Sequence, residues 1–76
     1  MTKSEFYTEF ETLLELDPGS IHGTETLSGI SAWDSMGILS FMAFVDEKFG
    51  VVTEPEKLVK CQTIAELIGL FPGKIT

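Results

Sequence analysis

The segment from about Ser35 to Phe49 constrains the fold most, because its apolar residues follow the 3.6-residue period of an α-helix. Asp34 precedes it as a favourable N-cap, and Gly50 follows it where a helix commonly ends. The residues that follow the period are Ile38, Phe41, Met42, Val45 and Phe49. Leu39 and Phe44 widen the apolar arc beyond one core-facing stripe. We therefore expect this helix either to be the most buried element or to present a docking surface.

Residues 3–16 form a second segment with helical spacing. Thr2 and Glu5 have the pattern of a capping box at its start. The sequence Asp17-Pro18-Gly19 predicts its end, because a residue before proline avoids helical backbone. The apolar stripe consists of Phe6, Phe10, Leu13 and Leu14. The glutamates that lie mostly off this stripe are Glu5, Glu9, Glu11 and Glu15.

Two further helices are predicted in the last third of the chain. The sequence Thr53-Glu54-Pro55-Glu56 is typical of a short helix with proline in its first turn. Thr63 and Glu66 form a second capping box, and Pro72-Gly73 ends the helix that follows. There is no strand pattern and no internal repeat. We expect an all-α fold, a four-helix bundle of three main helices and one short helix, with a long loop after the first.

Residues 17–33 have no clear period and connect the first two main helices. Loops longer than about 12–15 residues are usually functional or disordered, or indicate a wrong assignment. Ile21, Leu27, Ile30 and Trp33 recur along this segment. We expect an ordered loop that these side chains hold against the core.

Size and charge exclude several functions. The 76 residues are enough for one domain, residues 1–76, but not for a deep, walled active site. Twelve acidic residues against five lysines give a net charge of −7, which repels nucleic-acid phosphates and anionic lipid. The charge either favours partners with basic docking patches or only keeps the protein soluble. No apolar run approaches the roughly 20 residues of a membrane span, so we expect neither membrane insertion nor nucleic-acid binding.

Cysteine and histidine are too scarce for a disulfide framework or a metal site. Cys61 is the single cysteine, and His22 has no ligand partner at metal spacing. Cys61 lies between two predicted helices, where we expect a small packing residue. The N-terminus lacks the layout of a signal peptide. Together these features predict a cytoplasmic location, and Met1 with the single domain favours a free-standing chain.

Ser35 is the most informative candidate site. With His22 and Asp34 it could be imagined as a hydrolase triad, but a nucleophile elbow needs glycine where Trp33 stands. At a predicted helix start, free N–H groups and the helix dipole favour a negative group on its hydroxyl. A serine in this position is also often only a cap. Local chemistry alone favours the capping residue.

A pattern along the whole chain resembles the acyl carrier protein family. Its parts are Leu27, Trp33-Asp34-Ser35-Met36, Asp46-Glu47-Lys48-Phe49-Gly50 and Thr63-Ile64-Ala65-Glu66-Leu67. The family carries an Asp-Ser-Leu motif at the start of its second helix. Asp34-Ser35-Met36 stands in that place, with Met36 as a conservative replacement.

The resemblance implies a carrier and not an enzyme. Ser35 would accept 4′-phosphopantetheine from coenzyme A through a phosphopantetheinyl transferase, with Asp34 as part of the motif. The thiol of this arm would hold acyl groups as thioesters for partner enzymes of lipid, polyketide or related biosynthesis. We expect a monomer. Two alternatives are an aminoacyl or peptidyl carrier, including the D-alanyl type, and an unmodified interaction or scaffold module.

The second main helix departs from the family pattern, since its middle carries no charge. Acidic residues appear only at Asp46 and Glu47. We therefore expect partner recognition through apolar contact around Met36, Gly37, Ser40 and Phe44. Crowding of the interior predicts short or polar cargo; the crowding residues are Phe6, Phe10, Phe41, Met42, Phe49 and Phe71.

Overall fold

The computed structural model describes all residues, Met1–Thr76, and contains four α-helices. These are α1 (Lys3–Leu13), α2 (Ser35–Phe49), α3 (Pro55–Lys60) and α4 (Ile64–Gly69), with one turn of 3-10 helix at Leu27–Gly29. There is no strand. The predicted all-α class and four helices are confirmed. Helix α4 spans six residues, as does α3.

Helix α1 begins as predicted and ends early. Both hydrogen bonds of its capping box are present, between Thr2 and Glu5. Its end at Leu13 is a Schellman-type arrangement, in which the Leu16 N–H donates to the Glu11 carbonyl at 2.8 Å. Glu15 takes the left-handed conformation there, with φ of 56°. The predicted end near Asp17 is therefore wrong by about one turn, since this closure needs no proline.

The caps predicted for α2 are both confirmed. The Gly37 N–H donates to Asp34 Oδ1 at 2.9 Å, which satisfies one of the free donors at the helix start. Gly50 has φ of 67°, and its N–H donates to the Asp46 carbonyl at 3.0 Å. These caps fix α2 between the residues that the sequence indicated.

The capping box predicted for Thr63 and Glu66 forms with one of its two hydrogen bonds changed. The Glu66 N–H donates to the Thr63 hydroxyl at 3.2 Å, as predicted. The Glu66 carboxylate, however, accepts from the Gln62 N–H and not from that of Thr63. Helix α4 ends at Gly69, and i→i−3 hydrogen bonds from Leu70 and Phe71 continue the turn. The predicted end at Pro72 is therefore late.

The core is dominated by aromatic rings around Phe41. Its ring centroid lies 5.9 Å from that of Phe10, 6.1 Å from that of Phe6 and 6.1 Å from that of Phe71. Edge-to-face and tilted contacts of this kind stabilise a core beyond the burial of apolar area. The full cluster of buried apolar residues is Phe6, Phe10, Leu14, Ile21, Leu27, Phe41, Phe44, Val45, Leu58, Ile64, Leu67, Phe71 and Ile75.

The loop over residues 17–33 is ordered, as predicted. Ile21 and Leu27 are buried, while Ile30 and Trp33 are half-buried against the core. The Leu27 N–H also donates to the Gln62 carbonyl at 2.8 Å. The loop is thereby joined both to the core and to the connection between α3 and α4.

A buried carboxylate on α1 also holds this loop. Glu11 Oε2 accepts from the Gly19 N–H at 3.1 Å and from the Ile21 N–H at 2.9 Å. The expectation that Glu11 lies off the buried face is wrong, since only 6% of it is exposed. These hydrogen bonds satisfy two loop donors and offset the desolvation of the carboxylate.

None of the helices is long and apolar enough to cross a membrane.

Candidate functional site

Ser35 is the first residue of α2, and its side chain is exposed. Its hydroxyl makes no hydrogen bond within the protein, and the capping hydrogen bond at this helix start is accepted by Asp34 Oδ1 from the Gly37 N–H. Asp34 therefore acts as the cap, and the Ser35 hydroxyl is free to react. The N–H groups of Ser35 and Met36 have no acceptor in the protein, as is usual in a first helical turn.

Trp33 anchors the chain immediately before this site. Its ring centroid lies 5.4 Å from that of Phe41 and 5.7 Å from that of Phe10. Its N–H donates to the Ile30 carbonyl at 3.0 Å. An exposed serine thus follows, two residues later, a tryptophan that is held by the core.

Gly37 allows the loop to approach α2 closely. A Cβ at this position would overlap the carbonyl oxygen of Ala32 and lie 3.2 Å from Leu14 Cδ2. Gly37 is buried, so a side chain at this position could not extend into solvent. Glycine is therefore required to bring the loop, α1 and the first turn of α2 together beside Ser35.

His22 is paired with a carboxylate of its own loop. Its Nδ1 lies 3.0 Å from Glu25 Oε2, which also accepts from the His22 N–H at 2.8 Å. Burial raises the pKa of Glu25, but hydrogen bonds from its own N–H and from His22 and Gly23 outweigh burial and lower it to about 2. Glu25 is therefore ionised, and its carboxylate contacts both the backbone of the loop and the ring of His22.

An open groove of about 440 Å³ lies beside the start of α2, between the loop and α3. Trp33, Ile38 and Val59 line it, together with Cys61. The Cys61 thiol donates to the Lys57 carbonyl, with Sγ 3.4 Å from the oxygen. Burial, and then the charge of Glu66, raise the pKa of this thiol, so it stays protonated near neutral pH. Cys61 is thus a packing group at the edge of the groove.

A family model that describes the phosphopantetheine attachment site matches residues 4–71. The chain belongs to this family. Its members are carriers with covalently attached 4′-phosphopantetheine, and such carrier domains are generally non-catalytic. No curated protein and no solved structure is significantly similar to the chain. Membership of this family therefore identifies the cofactor and the general role as a carrier.

The start of α2 fits a phosphopantetheine carrier. A phosphodiester on the Ser35 hydroxyl would lie at the positive end of a 15-residue helix, next to the free N–H groups of Ser35 and Met36. The hydroxyl is exposed, as an attachment point must be for a separate enzyme to reach it.

Two of the four residues predicted for partner recognition are exposed in this carrier. Met36 has 77% of its surface exposed, and Ser40 is exposed one turn further along α2. The prediction is wrong for Phe44, which is 8% exposed and packs on Phe6 with ring centroids 6.4 Å apart. Gly37 is buried where the loop approaches α2.

Leu39 was not predicted as a recognition residue, yet 60% of it is exposed. It lies three residues after Met36 and therefore on the same face of α2. Its position in the widened apolar arc was visible in the sequence. Which of Leu39 and Phe44 faces the core is decided by the packing of α1 against α2.

Proposed function

We propose that this chain carries acyl groups as thioesters on a 4′-phosphopantetheine arm attached to Ser35, acting as a monomer. The single observation that supports Ser35 is its free, exposed hydroxyl at the start of a helix whose N-cap is already filled by Asp34. In the modification, the Ser35 oxygen forms a bond to the phosphorus next to pantetheine in coenzyme A. The adenosine bisphosphate leaves, and the hydroxyl proton goes to the transferase or solvent. The arm supplies a terminal thiol that holds the acyl group.

The intact mass of the protein after incubation with coenzyme A and a broad-specificity phosphopantetheinyl transferase tests this proposal. We expect a gain of one phosphopantetheine group in the wild type and in Ser31→Ala, but none in Ser35→Ala. Ser31 is a suitable control because it is exposed and lies four residues before the proposed site. An unmodified wild type, or equal modification of Ser35→Ala, would refute the carrier function. An unmodified wild type would instead favour an interaction or scaffold module.

The core favours short or polar cargo. Phe6, Phe10, Phe41 and Phe71 are each at most 2% exposed, and their rings fill the space between the helices. The 440 Å³ groove beside α2 is open to solvent, so it offers contact to a short acyl group without enclosing a long one. If long acyl chains on the arm raised the melting temperature more than short chains, as burial should, this part of the proposal would be wrong.

Partner recognition is proposed to rest on apolar contact at the exposed face of α2. Met36 and Leu39 project from this face, and Ser40 lies beside them. No charged residue occurs from Ser35 to Val45, so this face offers no ion pairs in its middle. We expect Leu39→Ser to weaken loading by partner enzymes while leaving the melting temperature almost unchanged, because Leu39 is already exposed.

An aminoacyl or peptidyl carrier, including the D-alanyl type, is the second candidate. The run Trp33-Asp34-Ser35-Met36-Gly37 also resembles carriers of that kind. The two candidates share the arm and differ in the loading enzyme. Incubation of the modified protein with acyl-activating or amino-acid-activating enzymes, followed by intact-mass analysis, distinguishes them by the mass added to the arm.

A further inference from the structure

Trp33 lies between the 440 Å³ groove beside α2 and the aromatic core. It lines the groove, and its ring centroid lies 5.7 Å from that of Phe10 and 5.4 Å from that of Phe41. Phe10 and Phe41 are completely buried and do not line the groove. The indole therefore separates the groove from these two rings.

The groove is placed and sized to receive the acyl group on an arm at Ser35. Two of its lining residues, Trp33 and Ile38, flank Ser35 in the sequence, so an arm that folds back over α2 reaches it. Its volume lies within the roughly 300–1,000 Å³ that is usual for small-molecule pockets. Leu27 is buried at its floor, and Val59 is exposed at its rim. A short acyl group can thus leave water here.

The protein offers no apolar space beyond Trp33 to a longer acyl group. The ring centroids of Phe10 and Phe41 lie 5.9 Å apart, in an edge-to-face contact. No cavity of the protein is lined by either ring. Because protein interiors are close-packed, a chain that extends past the groove would have to displace the indole.

We propose that Trp33 sets the length of the acyl group that this carrier can shelter, which makes it a specificity-determining residue. Short acyl groups lie in the groove against the indole, and the methylenes of longer groups stay in water. A smaller side chain at this position would join the groove to the space beside Phe10 and Phe41. Space with such apolar walls stays dry and accepts an apolar chain. This inference rests on the proposed attachment at Ser35.

The experiment compares butyryl and octanoyl groups on the wild type and on Trp33→Leu. A broad-specificity phosphopantetheinyl transferase in excess loads each group from its acyl-coenzyme A. The Ser35 oxygen bonds to the same phosphorus as before, the adenosine bisphosphate leaves, and the thioester stays intact. Complete loading is verified by intact mass, so slower modification of a variant does not affect the comparison. The two loaded forms of each variant are then compared by melting temperature, which cancels any destabilisation caused by the substitution itself.

The expected result is a dependence on chain length that appears only when the indole is removed. The butyryl and octanoyl forms of the wild type should melt at the same temperature. In Trp33→Leu the octanoyl form should melt about 6–12 °C higher than the butyryl form, as for roughly two further methylenes leaving water. A difference in the wild type, or equal melting temperatures in Trp33→Leu, would overturn the inference.

Phe44→Leu and Val59→Ala are the matched controls. Phe44→Leu also replaces an aromatic ring with leucine, but Phe44 is a buried residue that does not line the groove. Val59→Ala enlarges the groove at its exposed rim and leaves the core unchanged. Neither variant should distinguish the two acyl groups. A shift in either control as large as that in Trp33→Leu would contradict the role of Trp33.

Trp33→Phe provides a milder second variant. It keeps an aromatic ring beside Phe10 and Phe41 and removes only part of the indole, so the octanoyl form should again melt higher, by a smaller amount. If Trp33→Leu shows no cooperative melting transition, this variant decides the question. Equal melting temperatures of its two loaded forms would then refute the inference.

The loading step separates this inference from the proposed function. Complete loading of the wild type, with no effect of chain length in either Trp33 variant, would remove the role of Trp33 and leave the carrier function intact. Absence of loading in the wild type would remove both.

Discussion

Substitution of Gly37 by alanine should have two opposite effects on stability, a gain in helix propensity and a larger loss from steric overlap. Alanine inside a helix is ordinarily more stable than glycine by about 1 kcal/mol. Here the added Cβ would overlap the carbonyl oxygen of Ala32 and crowd Leu14 Cδ2 at 3.2 Å. Because the overlapped atom belongs to the backbone, relief requires the loop to move away from α2, at about 3 kcal/mol, the upper part of the usual range for overpacking. We therefore expect Gly37→Ala to lose about 2 kcal/mol of stability in balance.

Thermal unfolding followed by circular dichroism checks this expectation against Gly69→Ala. Gly69 lies in α4, and nothing lies within 4 Å of a Cβ built there, so helix propensity alone should act. For a domain of this size, 1 kcal/mol corresponds to about 4–8 °C, so Gly37→Ala should melt about 8–16 °C lower. Gly69→Ala should melt about 4 °C higher. A melting temperature of Gly37→Ala at or above that of the wild type would refute the reasoning.

Substitutions at three further residues test the loop and the core. Glu11→Ala should lose about 2–3 kcal/mol, since Gly19 and Ile21 lose their acceptor, whereas Glu11→Gln keeps an acceptor and should lose less; equal losses in urea unfolding would contradict this. Glu25, with a pKa near 2, contributes stability above its ordinary pKa of 4.5 and loses it as the pH falls from 4.5 towards 2. Glu25→Gln should flatten that part of the stability profile, and an unchanged slope would be the opposing result. Phe44→Ala should lose about 3–4 kcal/mol by urea unfolding, and wild-type stability would show that Phe44 is not a core residue.

The helices could be predicted where their signals are local. Thr2, Asp34 and Thr63 accept hydrogen bonds from N–H groups three residues later, so a short window of sequence contains the whole interaction. Gly50 likewise ends α2 through its own left-handed conformation. The position of Ser35 at a helix start followed from the same local rules, whereas its interpretation as an attachment site depended on the resemblance along the whole chain.

The remaining features depend on contacts between distant residues. The end of α1 has glutamate at position 15 where glycine is the usual signal, so the sequence indicated a longer helix. Glu11 is buried because Gly19 and Ile21 fold back over it. The helical periodicity of α1 cannot predict this contact, because the loop residues lie outside the helix. Similarly, Phe44 faces Phe6 of α1, and a pattern within α2 alone could not show this.

The same distinction separates substitutions that would alter docking from those that would alter folding. Ser35, Met36 and Leu39 are exposed, so their replacement would alter the proposed attachment and docking surface but leave the core packing in place. Trp33 and Gly37 instead join the start of α2 to the core and the loop, and their replacement would displace Ser35 itself. Loss of modification with an unchanged melting temperature therefore identifies the attachment residue or a docking residue. Loss of both identifies a residue that holds the site in place.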